Sequence, residues 1–90
     1  MRILVLGGTA WLGRTVAVEA LARGHDVTCA ARGSAAPPDG VVFVGVDRDD
    51  DEGLAPLVGT RWDAVVDVSR QPGQVRRAVR DLDTAHRVLV

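Results

Sequence analysis

Ninety residues limit the chain to one small domain, 1–90, which buries a smaller share of its surface than a full-sized α/β enzyme does. Hydrophobic residues make up 47% and charged residues 26%, as in folded soluble proteins, and the 3% aromatic content leaves the core to Val, Leu, Ala and Ile. Eleven basic residues, all arginine, stand against twelve acidic ones for a net charge of -1, so the polycationic field that drives non-specific nucleic-acid binding is excluded.

Ile3 to Leu6 is a continuous apolar run stopped by Gly7-Gly8, the pattern of a central strand buried on both faces. Thr9 can cap the helix that follows, whose apolar positions Leu12, Val16 and Ala20, with Ala17 and Leu21 beside them, keep helical spacing until Gly24. Val27 to Ala31 reads as a second strand, and the Gly33 to Gly40 stretch has the composition of an exposed loop. Val41 to Val46 is a third strand, followed by the acidic run Asp47 to Glu52 at the start of a short amphipathic helix carrying Leu54, Leu57 and Val58. Ala64 to Val68 is a fourth strand, Pro72 to Leu82 a helix with Val75, Val79 and Leu82 on one face, and Arg87 to Val90 the opening of a fifth strand.

Strands alternating with helices predict an α/β fold: a Rossmann-like parallel sheet of order 3-2-1-4-5, helices on both faces, incomplete because the chain stops within its last strand. The ligand crevice of such a sheet lies where the strand order reverses, beside strand one. No apolar stretch reaches bilayer length, which predicts a soluble protein with no membrane partner. The single cysteine, Cys29, falls inside a strand and points to a reducing, cytoplasmic setting. An outer half-strand predicts an exposed sheet edge and self-association.

The turn Gly7-Gly8-Thr9-Ala10-Trp11-Leu12-Gly13 joins a buried strand to a helix, the context in which free backbone amides and the helix dipole can hold a pyrophosphate. Gly7 makes the turn and Gly13 lets helix and strand approach; counted as Gly7-x-x-Ala10-x-x-Gly13 or as Gly8-x-Ala10-x-x-Gly13, the middle glycine is replaced by Ala10. An NAD site places an acid at the end of the second strand for the ribose 2'-hydroxyl. Ala31 and Arg32 stand there instead, with no carboxylate nearby to repel a phosphate, so the guanidinium of Arg32 is expected to grip a 2'-phosphate and NADP is favoured over NAD. Ser34 can add a hydroxyl contact. A purely structural glycine turn and an ordinary exposed arginine are the plainer alternatives.

The chain resembles the extended and atypical branches of the short-chain dehydrogenase/reductase superfamily, the NAD(P)-dependent epimerase/dehydratase and reductase group. The likeness is carried by Gly7 to Gly13, Arg23-Gly24-His25-Asp26-Val27, Arg32-Gly33 and Val44-Gly45-Val46-Asp47. It implies a cofactor-binding turn made of Gly7, Thr9, Ala10, Trp11, Leu12 and Gly13, with Asp47 and Arg48 bordering the adenine and Ser69-Arg70 near the ribose and phosphates. Asp47 could equally begin the acidic cap, and Ser69-Arg70 form an ordinary loop.

That family uses a Tyr-x-x-x-Lys pair after the fifth strand to exchange a proton as hydride moves. This chain has neither tyrosine nor lysine, and its two histidines, His25 and His86, and Cys29 assemble no alternative catalyst and no metal site. The expected parent is an NADP(H)-dependent oxidoreductase or epimerase/dehydratase acting by hydride transfer at a carbonyl or carbinol carbon. The chain itself is then an inactive N-terminal cofactor-binding portion. The alternative is a non-catalytic NADP(H)-binding or redox-sensing module.

Overall fold

The computed structural model describes residues 1–7, 11–32, 39–68, 71–82 and 84–89. Five strands, β1 (Arg2–Leu6), β2 (Asp26–Ala31), β3 (Val42–Gly45), β4 (Trp62–Asp67) and β5 (Thr84–Leu89), form one sheet in the order β3-β2-β1-β4-β5. Every neighbouring pair is parallel, with Leu6 opposite both Ala30 and Asp67, and Ala31 opposite Gly45. The predicted strand order holds.

The apolar run in β1 divides its side chains between two cores, because successive residues of a strand point to opposite faces. Ile3 and Val5 pack with Val27 and Cys29 beneath helix α1 (Trp11–Ala22), whereas Leu4 and Leu6 join Val65, Trp62, Leu54 and Leu57 beneath helix α2 (Pro72–Asp81). Helices therefore cover both faces. The buried residues of α1 are Gly13, Ala17 and Ala20, all small, while Leu12, Val16 and Leu21 flank them half-buried. Gly24 ends this helix at φ +85°, with its amide on the Leu21 carbonyl and that of His25 on the Ala20 carbonyl, a double closure that uses a left-handed residue.

Three expectations need correction. The acidic run does not start an amphipathic helix: Asp47 to Gly53 forms turns, and only a three-residue 3-10 turn, Ala55–Leu57, follows. Gly53, Pro56 and Gly59 leave room for no more, although Leu54 and Leu57 are buried as predicted; Val58 is exposed. Of the face predicted for the second helix, Leu82, just past the end of α2, is buried and Val75 half-buried, but Val79 points to solvent and Ala78 packs in its stead. Finally, β5 begins at Thr84, three residues before the expected start, because an outer strand tolerates the polar side chains of Thr84 and His86.

Arg87 closes the C-terminal end of α2 by donating to the carbonyls of Ala78, at 3.1 Å, and of Val79 and Leu82. A cation there adds donors to the last carbonyls of the helix, Ala78 already accepting the Leu82 amide at 3.0 Å, and opposes the negative end of the dipole.

Candidate dinucleotide cleft

Strands β1, β2, β3 and β4 end at a common level, and the residue after each end turns into a shared cleft. The Gly7 amide donates to the Ala30 carbonyl at 2.8 Å, that of Val46 to Ala31 at 2.9 Å and that of Val68 to Leu6 at 3.1 Å. These bonds continue the parallel ladder by one residue and place Gly7, Val46 and Val68 around the rim. The cleft holds about 180 Å³ and is lined by Gly7, Ala30, Ala31, Arg32, Val46, Arg48, Val68 and Gln74. Drug-sized ligands occupy pockets of roughly 300–1,000 Å³, so this volume suits one moiety of an extended ligand lying across the sheet edge.

Gly7 adopts φ +86°, where a side chain is strained, and an added Cβ would stand 3.6 Å from the Cβ of Val68, across the cleft. This is the conformation that lets a chain leave a central strand and turn at once. A diphosphate approaching the turn would meet backbone there.

The floor is ionic. Arg48 and Asp67 are both more than nine-tenths buried and form a two-pronged pair, Nη1 to Oδ1 at 2.7 Å and Nη2 to Oδ2 at 2.8 Å. Arg48 Nη2 also donates to the Gln74 carbonyl at 2.9 Å, and Arg77 grips the Arg48 carbonyl through Nε and Nη2 at 3.0 and 2.6 Å. These contacts tie the ends of β3 and β4 to the first two turns of α2. Arg48 Nε has no acceptor among the described residues. A buried orphan donor costs about 1–3 kcal/mol, so the pair holds shape at an expense in stability.

The side wall carries Arg32, directly after β2. Its Nη2 lies 2.6 Å from Asp49 Oδ2 and 3.7 Å from Asp47 Oδ1, and the other oxygen of Asp49 accepts from Gln74 Nε2 at 2.7 Å. Arg32 was expected to have no carboxylate nearby, but two acids from the turn after β3 flank it. That turn is held by the Asp47 carboxylate accepting the Asp49 amide at 3.0 Å, and by Gly53, whose missing Cβ would fall 1.6 Å from the Asp47 carbonyl oxygen. Only glycine allows the backbone to pass there.

Of the residues singled out in sequence, Gly7 and Arg32 meet in the cleft and Asp47 stands beside Arg32. Trp11 and Leu12 begin α1 outside the lining, Trp11 largely in solvent, and Gly13 is buried where α1 packs on the sheet. Thr9, Ala10, Ser34, Ser69 and Arg70 lie outside the described residues. Gln74, Asp49, Asp67 and Gly53 were not singled out. Charge pairing between the residues after β3 and the end of β4 was the only signal available in sequence, and it has no fixed spacing.

The remaining titratable groups sit elsewhere. His25 accepts from the terminal amine at 3.2 Å at the opposite end of the sheet, and His86 lies on the outer strand β5. Cys29 is fully buried, and the loss of hydration pushes its thiol up to about 11. Arg80 holds the Asp81 carboxyl below the usual carboxylate range at the end of α2. No group of ligating side chains for a metal ion occurs among the described residues, and no described helix is long and apolar enough to cross a membrane.

A parallel sheet of this order, with a cleft where the order reverses, is a Rossmann-like fold. The sequence matches the NAD dependent epimerase/dehydratase family over residues 3–90, and the chain belongs to that family. The UDP-glucose 4-epimerase of Thermus thermophilus, solved in complex with NAD, is 29% identical with a TM-score of 0.64 over 79% of this chain and 24% of that one. Vestitone reductase from alfalfa is 16% identical with a TM-score of 0.72, covering 98% of this chain and 35% of that one. An oxidoreductase from Lactococcus lactis is 20% identical with a TM-score of 0.74, covering 99% and 47% respectively. The chain thus spans between 24% and 47% of the length of these three structures. No curated protein matches it. Membership supports a nicotinamide dinucleotide as cofactor and an oxidoreductase-type function.

Proposed function

We propose that this chain binds NADP(H) for an oxidoreductase or epimerase/dehydratase that works by hydride transfer at a carbonyl or carbinol carbon. The observation that carries the reading is the cleft at the strand-order reversal, with left-handed Gly7 at its rim and the guanidinium of Arg32 in its wall. Bound there, the dinucleotide supplies the hydride donor or acceptor. Gly7 gives the diphosphate access to backbone, and Val46 and Val68 exclude water from the base. Arg48 is held rigid as a floor, and Arg32 turns toward the ribose phosphate. Its contacts with Asp49 and Asp47 are solvent-exposed pairs worth about 0–1 kcal/mol, weak enough to exchange for a phosphate dianion. Thr9, Ala10, Trp11, Leu12, Gly13 and Ser69 belong to the proposed turn and ribose contacts through the family likeness. The proton-transfer pair of the family would come from residues other than these ninety, since the chain has no tyrosine or lysine.

Titration of NADPH and NADH against the wild type, Gly7→Ala and Arg32→Ala tests the reading. Fluorescence of Trp11 beside the turn serves as one readout and calorimetry as the other. Gly7→Ala should weaken both dinucleotides, and Arg32→Ala should weaken NADPH by roughly tenfold or more with little effect on NADH, as expected for loss of a charge-assisted contact. NADPH affinity untouched by Arg32→Ala would remove the 2'-phosphate assignment. The outer strands β3 and β5 expose Val42 and Val88, and self-association through these edges is part of the proposal. Sedimentation velocity over a concentration series should show a species heavier than the monomer; a constant monomer would rule it out.

A further inference from the structure

We propose that Asp49 sets the balance between the two nicotinamide dinucleotides, as a built-in competitor for the guanidinium that a 2'-phosphate would use; this rests on the reading of Arg32 given above. Asp49 is supplied by the turn after β3, not by the end of β2, and reaches the guanidinium across the mouth of the cleft. One carboxylate oxygen takes Arg32 Nη2 at 2.6 Å and the other takes the Gln74 amide at 2.7 Å, so a single side chain links both walls of the cleft. Asp47 stands 3.7 Å from the same nitrogen, which makes the local charge around Arg32 net negative.

A phosphate dianion entering this wall must share the Arg32 guanidinium with Asp49 or displace it, and in either case remain near two carboxylates. Like charges a few ångströms apart disfavour that state, whereas a neutral 2'-hydroxyl brings no charge to be repelled and leaves the Arg32–Asp49 pair in place. The arrangement lowers affinity for NADP(H), leaves NAD(H) unaffected, and makes a chain that carries an arginine in the phosphate position less selective than that arginine alone would make it. Asp49→Asn retains the shape and an oxygen for Gln74 but removes the competing charge. Asp49 is exposed, so the exchange is tolerated by the fold.

Calorimetric titrations of NADPH and NADH against the wild type, Asp49→Asn, Arg32→Ala and Asp51→Asn decide the matter. Asp51→Asn removes the same charge without touching Arg32, because Asp51 pairs with Arg80. The expected result is NADPH binding tightened by roughly three- to tenfold in Asp49→Asn, NADH changed by less than about twofold, and no such selectivity shift in Asp51→Asn. If Arg32→Ala weakens NADPH but Asp49→Asn leaves the NADPH-to-NADH ratio at the wild-type value, the competitor role is overturned and the Arg32 assignment stands. If Asp51→Asn shifts the ratio as much as Asp49→Asn, the effect belongs to net charge and the role is overturned as well. NADPH binding indifferent to Arg32→Ala overturns both.

Discussion

Arg48 and Asp67 place opposite charges in the interior where β3 and β4 end, and their value to the molecule is geometric. Removing one partner leaves the other charged and dry. Asp67→Ala should cost about 3–5 kcal/mol, most of what a small domain has, measured as a shift in the urea midpoint. The double replacement Arg48→Met with Asp67→Leu should recover much of that loss while weakening dinucleotide binding, because an apolar pair packs without desolvation cost yet no longer fixes Gln74. Cys29 gives a second residue-scale outcome. With its thiol pushed up to about 11, only about one molecule in a thousand carries the thiolate at pH 8, and the side chain has no exposure. Alkylation by iodoacetamide should follow unfolding, and rapid labelling of the native protein would contradict its placement. The folded state holds this proton more tightly than the unfolded chain does. Stability should therefore fall as pH rises from the ordinary thiol range toward about 11.

At the scale of elements, the turn between β3 and β4 decides how the cleft wall is built. Gly53→Ala would drive a methyl into the Asp47 carbonyl, so the turn must open and carry Arg48 and Asp49 with it. The expected outcome is a loss of roughly 1–3 kcal/mol together with weaker dinucleotide binding, read by thermal melts and calorimetry. Unchanged affinity would show that this turn does not shape the site. The apolar runs of β1, β2 and β4 and the glycine after β1 were legible, since a doubly buried strand admits few other residues and a left-handed turn favours glycine. Arg32 was legible by its distance from that turn. Asp49 was not, and Arg48 was placed at the adenine without its pairing to Asp67, because both sit in an acidic run that looks uniformly solvated and their partners stand 17 and 19 residues away on other elements. Val79 and Ala78 exchanged roles on α2 for a related reason: periodicity ranks a valine above an alanine, whereas close packing of a helix on a sheet favours the smaller side chain.

The whole molecule is a sheet whose central strand meets a helix layer on each side and whose order turns back beside that strand. The placement of the cleft follows from that reversal, because the connections leaving β1 and β4 depart toward opposite faces and part the backbone between them. Everything assigned to function requires the dinucleotide to lie at this end of the sheet and not at the other, where His25, Gly40 and Thr60 line a second hollow. Amide shifts of the isotope-labelled chain, followed while NADPH is added, separate the two ends directly. Saturable changes are expected at Gly7, Ala31, Arg32, Val46, Arg48, Val68 and Gln74. Changes concentrated around His25, Gly40 and Thr60, or none at saturating ligand, would contradict this placement.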